Sequence, residues 1–82
     1  MSYKEHAKEL LEEFYLCVKA KPKHNSVDLQ LEKDQCEKLA GRLNNLLAWG
    51  DDSEIEEACQ QFEPRLKRLK EKLVIEVLTH GI

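Results

Sequence analysis

The sequence predicts an all-α protein, a three-helix up-down-up antiparallel bundle with a long third helix. Three observations carry that expectation. Apolar residues recur at alternating three- and four-residue spacing in three separate stretches. Two short breaks rich in turn-forming residues divide those stretches. The composition, 41% hydrophobic and 35% charged with only 3 Gly and 2 Pro in 82 residues, suits helices and argues against a sandwich, a disordered chain or a collagen-like repeat. At this length the whole chain, 1–82, is expected to form a single helical-bundle domain. That is close to the smallest size at which one core suffices without staples.

The first helix is expected from about residue 2 to residue 20. Ser2 and Glu5 have capping-box spacing, and Ala7, Leu10, Leu11, Phe14, Cys17 and Val18 repeat on one side. Lys19, Lys21 and Lys23 suit its carboxyl end, where the helix dipole favours cations. Pro22 closes it, because proline cannot donate to the ladder and restricts the residue before it. Residues 21–25 therefore read as a turn.

The second helix starts at Asn25 or Ser26, either of which can cap it, with Asp34 and Glu37 marking a possible later start. Its stripe is Leu29, Glu32, Cys36, Leu39, Leu43, Leu46 and Leu47, with Glu32 the one polar lapse. Gly41 costs such a helix about 1 kcal/mol relative to Ala, and a small residue there suggests close approach of a neighbouring backbone. The helix ends around Trp49 and Gly50, with Asp51 and Asp52 in a tight turn. Trp49 is expected as a lid on the core between the second and third helices; the alternative is an exposed anchor for a partner.

The third helix is expected over 53–82, opened by a Ser53–Glu56 capping box and stopped by Gly81. Ile55, Cys59, Phe62, Leu66, Leu69 and Leu73 follow at spacings of 4, 3, 4, 3 and 4, the seam pattern of coiled-coil-like pairing. Pro64 falls within it. Two outcomes fit: a kinked but continuous helix, or a short helix over 54–62 followed by a second whose first turn holds Pro64.

Short connections favour antiparallel neighbours, which places the carboxyl ends of the first and third helices together. Around residues 14–18 and 73–78 both helices are apolar nearly all round, more than three helices can bury. The surplus, chiefly Tyr15, Leu16, Val74 and Ile75, is a candidate partner surface, with Arg68, Lys72 and the acids at 54–57 setting orientation. Charge is also segregated: residues 51–63 hold six acids and no base, and residues 64–72 five bases and one acid. Dipole preference accounts for much of this. A sharper reading is a two-fold homodimer with two copies of the third helix antiparallel, acidic half against basic half.

Candidates for chemistry are sparse. Cys17, Cys36 and Cys59 are widely spaced and sit at apolar helical positions, so they are expected reduced and buried rather than in a disulfide or zinc site. His6, His24 and His80 have no metal or catalytic partner at useful spacing. His6, in the run His6, Ala7, Lys8, Glu9, resembles the phospho-accepting histidine of helical phosphotransfer modules. Those modules have a longer four-helix frame and a small residue where this chain has Glu9. The acids of residues 51–57 lack the alternating pattern and central Gly of a calcium loop. No catalytic residue, cofactor or metal site is therefore expected.

The formal charge is −3 and the isoelectric point about 5.6, so nothing global points to nucleic acid or an anionic membrane. The alternative function is nonetheless a nucleic-acid-binding accessory protein using the basic segment 65–72. The first 13 residues are too charged for a signal peptide, and no apolar run reaches membrane-spanning length. A soluble, cytoplasmic chain is the expectation. In size and class it resembles small helical chaperones, adaptors and inhibitors, which leads to the expected function: a non-enzymatic adaptor-like module that binds a partner protein or itself.

Overall fold

The computed structural model describes residues 3–20 and 26–80. Ser2, the turn at 21–25 with Pro22, His24 and Asn25, and the stop at Gly81 lie outside the described residues. Within them the chain forms α1 (Tyr3–Lys19), α2 (Val27–Trp49) and α3 (Asp52–His80), a three-helix bundle.

The helix ends follow from local hydrogen bonding. Ser26, in extended conformation at φ −64° and ψ 159°, accepts the Leu29 N–H on its side-chain oxygen at 3.1 Å. That bond satisfies one orphan donor of the first turn and fixes the start of α2 at Ser26. Asp34 caps nothing: it lies inside the helix and accepts from Gln30 Nε2 at 3.0 Å. At the other end the Gly50 N–H donates to Leu46 O at 2.7 Å. A Cβ on Gly50 would stand 2.7 Å from Leu46 Cδ2 and 2.9 Å from Leu46 O. A side chain at this exit would collide with the helix it leaves.

The start of α3 corrects the expected cap. Asp51, not Ser53, takes the N-cap position. Glu54 N–H donates to Asp51 Oδ1 at 2.9 Å and Asp51 N–H donates to Glu54 Oε1 at 3.3 Å, a reciprocal capping box set two residues early. From there α3 runs unbroken through Pro64 to His80. The split at Pro64 does not occur. Pro64 is exposed, so its ring displaces nothing in the core, and the stripe passes from Phe62 to Leu66 in phase.

Ion pairs give the directions. His6 pairs with Glu63 and Glu13 with Lys70, at one common offset along the chain, so α1 and α3 run parallel. Lys72 pairs with Glu32 and Arg42 donates to Gln61. The α2 number falls as the α3 number rises, so α2 is antiparallel. The surface pairs contribute at most about 1 kcal/mol each and report register more than they hold it.

The core lies along the inner side of α3. Phe62, Ile55, Leu66 and Leu69 of α3 are fully buried with Leu29, Cys36 and Leu43 of α2. Phe14 of α1 meets Phe62 edge-on, ring centres 6.0 Å apart, a geometry that places a positive ring edge on a negative face. At about 1.5 Å per residue, α3 is as long as the molecule's 42 Å major axis. Both other helices pack on it.

Between α1 and α2 an open cleft of about 480 Å³ remains, lined among others by Phe14, Tyr15, Val18, Glu37 and Gly41. The close backbone approach expected at Gly41 is absent, since a Cβ there would meet nothing within 4 Å.

The cap assignment yields a discriminating pair of substitutions. Asp51→Ala is expected to lower stability by about 1 kcal/mol, and Ser53→Ala by no more than a few tenths. Urea denaturation of the two variants measures this; equal losses would return the cap to Ser53.

Candidate interaction face

The residues singled out from the sequence separate into three groups. Leu16, Val74 and Ile75 are exposed, at 65%, 55% and 60%, and the parallel register of α1 and α3 sets them near one end of the bundle. Val74 and Ile75 share a shallow surface depression with Lys70 and Glu71. Leu78, 80% exposed, extends this apolar end by one turn and was legible as the last member of the all-round apolar run 73–78.

Tyr15 belongs elsewhere. Its hydroxyl accepts from Asn44 Nδ2 at 3.0 Å and its ring leans on Phe14, centres 5.7 Å apart. It walls the cleft toward α2 rather than joining Val74 and Ile75. Lys72 is engaged too: its ammonium lies 3.4 Å from Glu32 Oε1. Arg68 is exposed on the outer side of α3. Of the acids at 54–57, Glu54 closes the capping box, Glu56 accepts a hydrogen bond from Tyr3 that holds the phenol's pKa above its ordinary value, and Glu57 is exposed.

Trp49 is the main correction. It is 90% exposed, not a core lid. The cause is positional: α2 ends at Trp49, and with α3 opening at Asp52 the turn leaves no helix beyond it for the indole to cover. Leu31 and Val27, near the amino end of α2, are exposed as well. Neither was singled out, and only their position off the Leu29–Cys36 stripe marked them.

The outer side of α3 has its own order. Glu57, Gln61, Pro64, Arg68, Glu71, Ile75 and Leu78 are all exposed, at the same alternating spacing as the buried stripe. This second line is acidic at Glu57, uncharged at Gln61 and Pro64, basic at Arg68, acidic again at Glu71 and apolar at Ile75 and Leu78.

Glu32 fills a place in the core rather than breaking its pattern. It is 7% exposed; one oxygen faces Lys72 and the other, Oε2, is buried with no hydrogen-bond partner. Leaving a buried charged acceptor half satisfied costs on the order of 1–3 kcal/mol. The three cysteines are free thiols buried in the core. Burial pushes each thiol pKa up, and for Cys36 the nearby Glu32 carboxylate and Cys17 add to it, to about 11. Such thiols are poor nucleophiles and poor ligands. Among the described residues no group of His, Cys, Asp and Glu could hold a metal ion, and no helix is long and apolar enough to cross a membrane.

Two outcomes follow. Glu32→Leu is expected to leave stability unchanged or raise it by about 1 kcal/mol, because Lys72 can return to water while an apolar side chain completes the stripe. A loss above about 1 kcal/mol in urea titration would show that the ion pair holds the bundle. For Cys36 the folded pKa, about 11, lies above the ordinary 9.0, so the unfolded chain releases its proton first. The stability it confers is whole below pH 9 and is lost as pH rises toward 11. Cys36→Ala should start less stable at pH 8 and fall less steeply across that window; parallel slopes would contradict the assignment.

Comparison of the chain with protein-family models, with curated proteins and with solved structures yields no match.

Proposed function

We propose that this protein is a small non-enzymatic docking module that holds a protein chain, foreign or its own copy, by helix packing against the end where α1 and α3 finish. The observation supporting this is the apolar surface left in water there: Leu16, Val74, Ile75 and Leu78 are each more than half exposed. Full burial of an exposed side chain of this kind is worth about 1.5–3 kcal/mol, so these four, already partly covered, supply on the order of 4–8 kcal/mol. Association costs about 4–15 kcal/mol in lost freedom. The apolar end therefore drives docking when it forms part of a longer face, as in helix-in-groove binding or bundle completion. The rival reading, nucleic-acid binding through 65–72, draws less support. Lys70 and Lys72 each face a carboxylate of their own chain, Glu13 and Glu32, leaving three of the five bases to track phosphates.

The test replaces Leu16 and Ile75 together by Lys. Both side chains are exposed, so helicity by circular dichroism should be unchanged while association is lost. Association is read in two ways: mass by light scattering, and adducts from a photo-reactive side chain at position 78 with one at exposed Lys8 as control. Undiminished mass and adduct formation in the double variant would overturn the reading.

A further inference from the structure

We infer that the occupant of this face is a second copy of the chain, docked two-fold with the outer sides of the two α3 helices antiparallel. The inference rests on the docking reading above and names its partner. Its basis is the order of exposed groups along one face. Just before α3, on the last residue of α2, stands Trp49, 90% exposed. Next comes acid at Glu54 and Glu57, then the uncharged Gln60, Gln61 and Pro64, then Lys67 and Arg68, then the single acid Glu71, and last Ile75 and Leu78. Such a sequence of groups is complementary to its own reverse. A two-fold axis crossing α3 between Phe62 and Glu63 sets Glu57 opposite the partner copy's basic Arg68 position and brings Trp49, at the end of α2, to the level of its Ile75 position. Each contact then occurs twice, as an isologous interface requires.

Three further points bear on this arrangement. The groups at the crossing, Gln60, Gln61 and Pro64, carry no charge, so no like-charge pair forms where the helices come closest. The outer acid Glu71 falls level with the partner copy's Glu54 position, where the carboxylate already accepts the Asp51 N–H of its own capping box. The size is also adequate: the outer half of a helix of this length, about 11 Å across, offers on the order of 700 Å². A standard stable interface takes about 800 Å² from each partner, and Trp49 and Leu31 lie on α2 to add to it. A foreign helix would need the same order of apolar, acidic and basic groups; the chain already contains it.

The experiment uses two single charge reversals, Glu57→Lys and Arg68→Glu, both at exposed positions, with circular dichroism as the folding control. By light scattering the unaltered chain should show twice its 9.6 kDa mass, with dissociation promoted by salt. Each variant alone places two like-charge pairs in the interface, so its dimer should dissociate at protein concentrations at least tenfold higher than for the unaltered chain. An equimolar mixture of the two variants restores both opposite-charge pairs and should recover the full dimer mass. A monomer at every concentration, variants that dimerise normally, or a mixture that stays monomeric would each overturn the second copy as occupant. A monomer that still gives position-78 adducts with a foreign chain, lost on Leu16 and Ile75 replacement, leaves the docking reading standing and removes only this inference.

Discussion

Burial of the inner stripe of α3 against both other helices is the interaction on which the rest of this molecule depends. Ile55, Phe62, Leu66 and Leu69 are removed almost entirely from water, and each side chain so buried is worth about 1.5–3 kcal/mol. Neither α1 nor α2 has comparable reach toward the other: the cleft between them is open, with Tyr15 and Asn44 bridging it by one hydrogen bond. A change that broke α3 would therefore release both neighbours. Pro64 tests that dependence in the native chain. It removes one backbone hydrogen bond at a cost of about 3 kcal/mol, yet the helix continues, because the stripe on either side has partners that hold it in phase.

The polar interactions have a different task. His6 with Glu63 and Glu13 with Lys70 lie half in water and mark the parallel register of α1 and α3 rather than hold it. Glu32 with Lys72 ties α2 to α3 from a buried position, at the cost of a buried oxygen without a partner. An apolar residue would fill that place at least as well, so the pair fits specification of one alignment better than stabilisation. The thiols fit the same picture from the apolar side. Raised pKa values keep them neutral, and they pack as small hydrophobes.

The helices were legible because their signal is local and repetitive: a stripe at three- and four-residue spacing needs no knowledge of the partner. The exposed end was legible too, since residues 73–78 carry more apolar side chains than one helix face can hide. What could not be read depended on choices made in three dimensions. Two capping boxes overlap at the start of α3, and both have correct spacing. The chain uses Asp51 with Glu54, which begins the helix immediately after Gly50. That choice in turn left Trp49 uncovered. Tyr15 lies beside Leu16 in sequence but a third of a turn away around the helix, enough to send it to α2. Glu32 looked like a lapse because its partner, Lys72, is forty residues distant.

As proposed, α3 has an inner face buried in the fold and an outer face that pairs with a second copy. The chain has one tryptophan, and Trp49, 90% exposed at the end of α2 beside the start of α3, reports by its emission whether that end leaves water on association. With rising protein concentration the emission maximum of the unaltered chain should move to shorter wavelength as the indole leaves water, and that of Ile75→Lys should stay at the wavelength of a solvated indole. An emission maximum independent of concentration up to millimolar chain, in both proteins alike, would contradict that pairing.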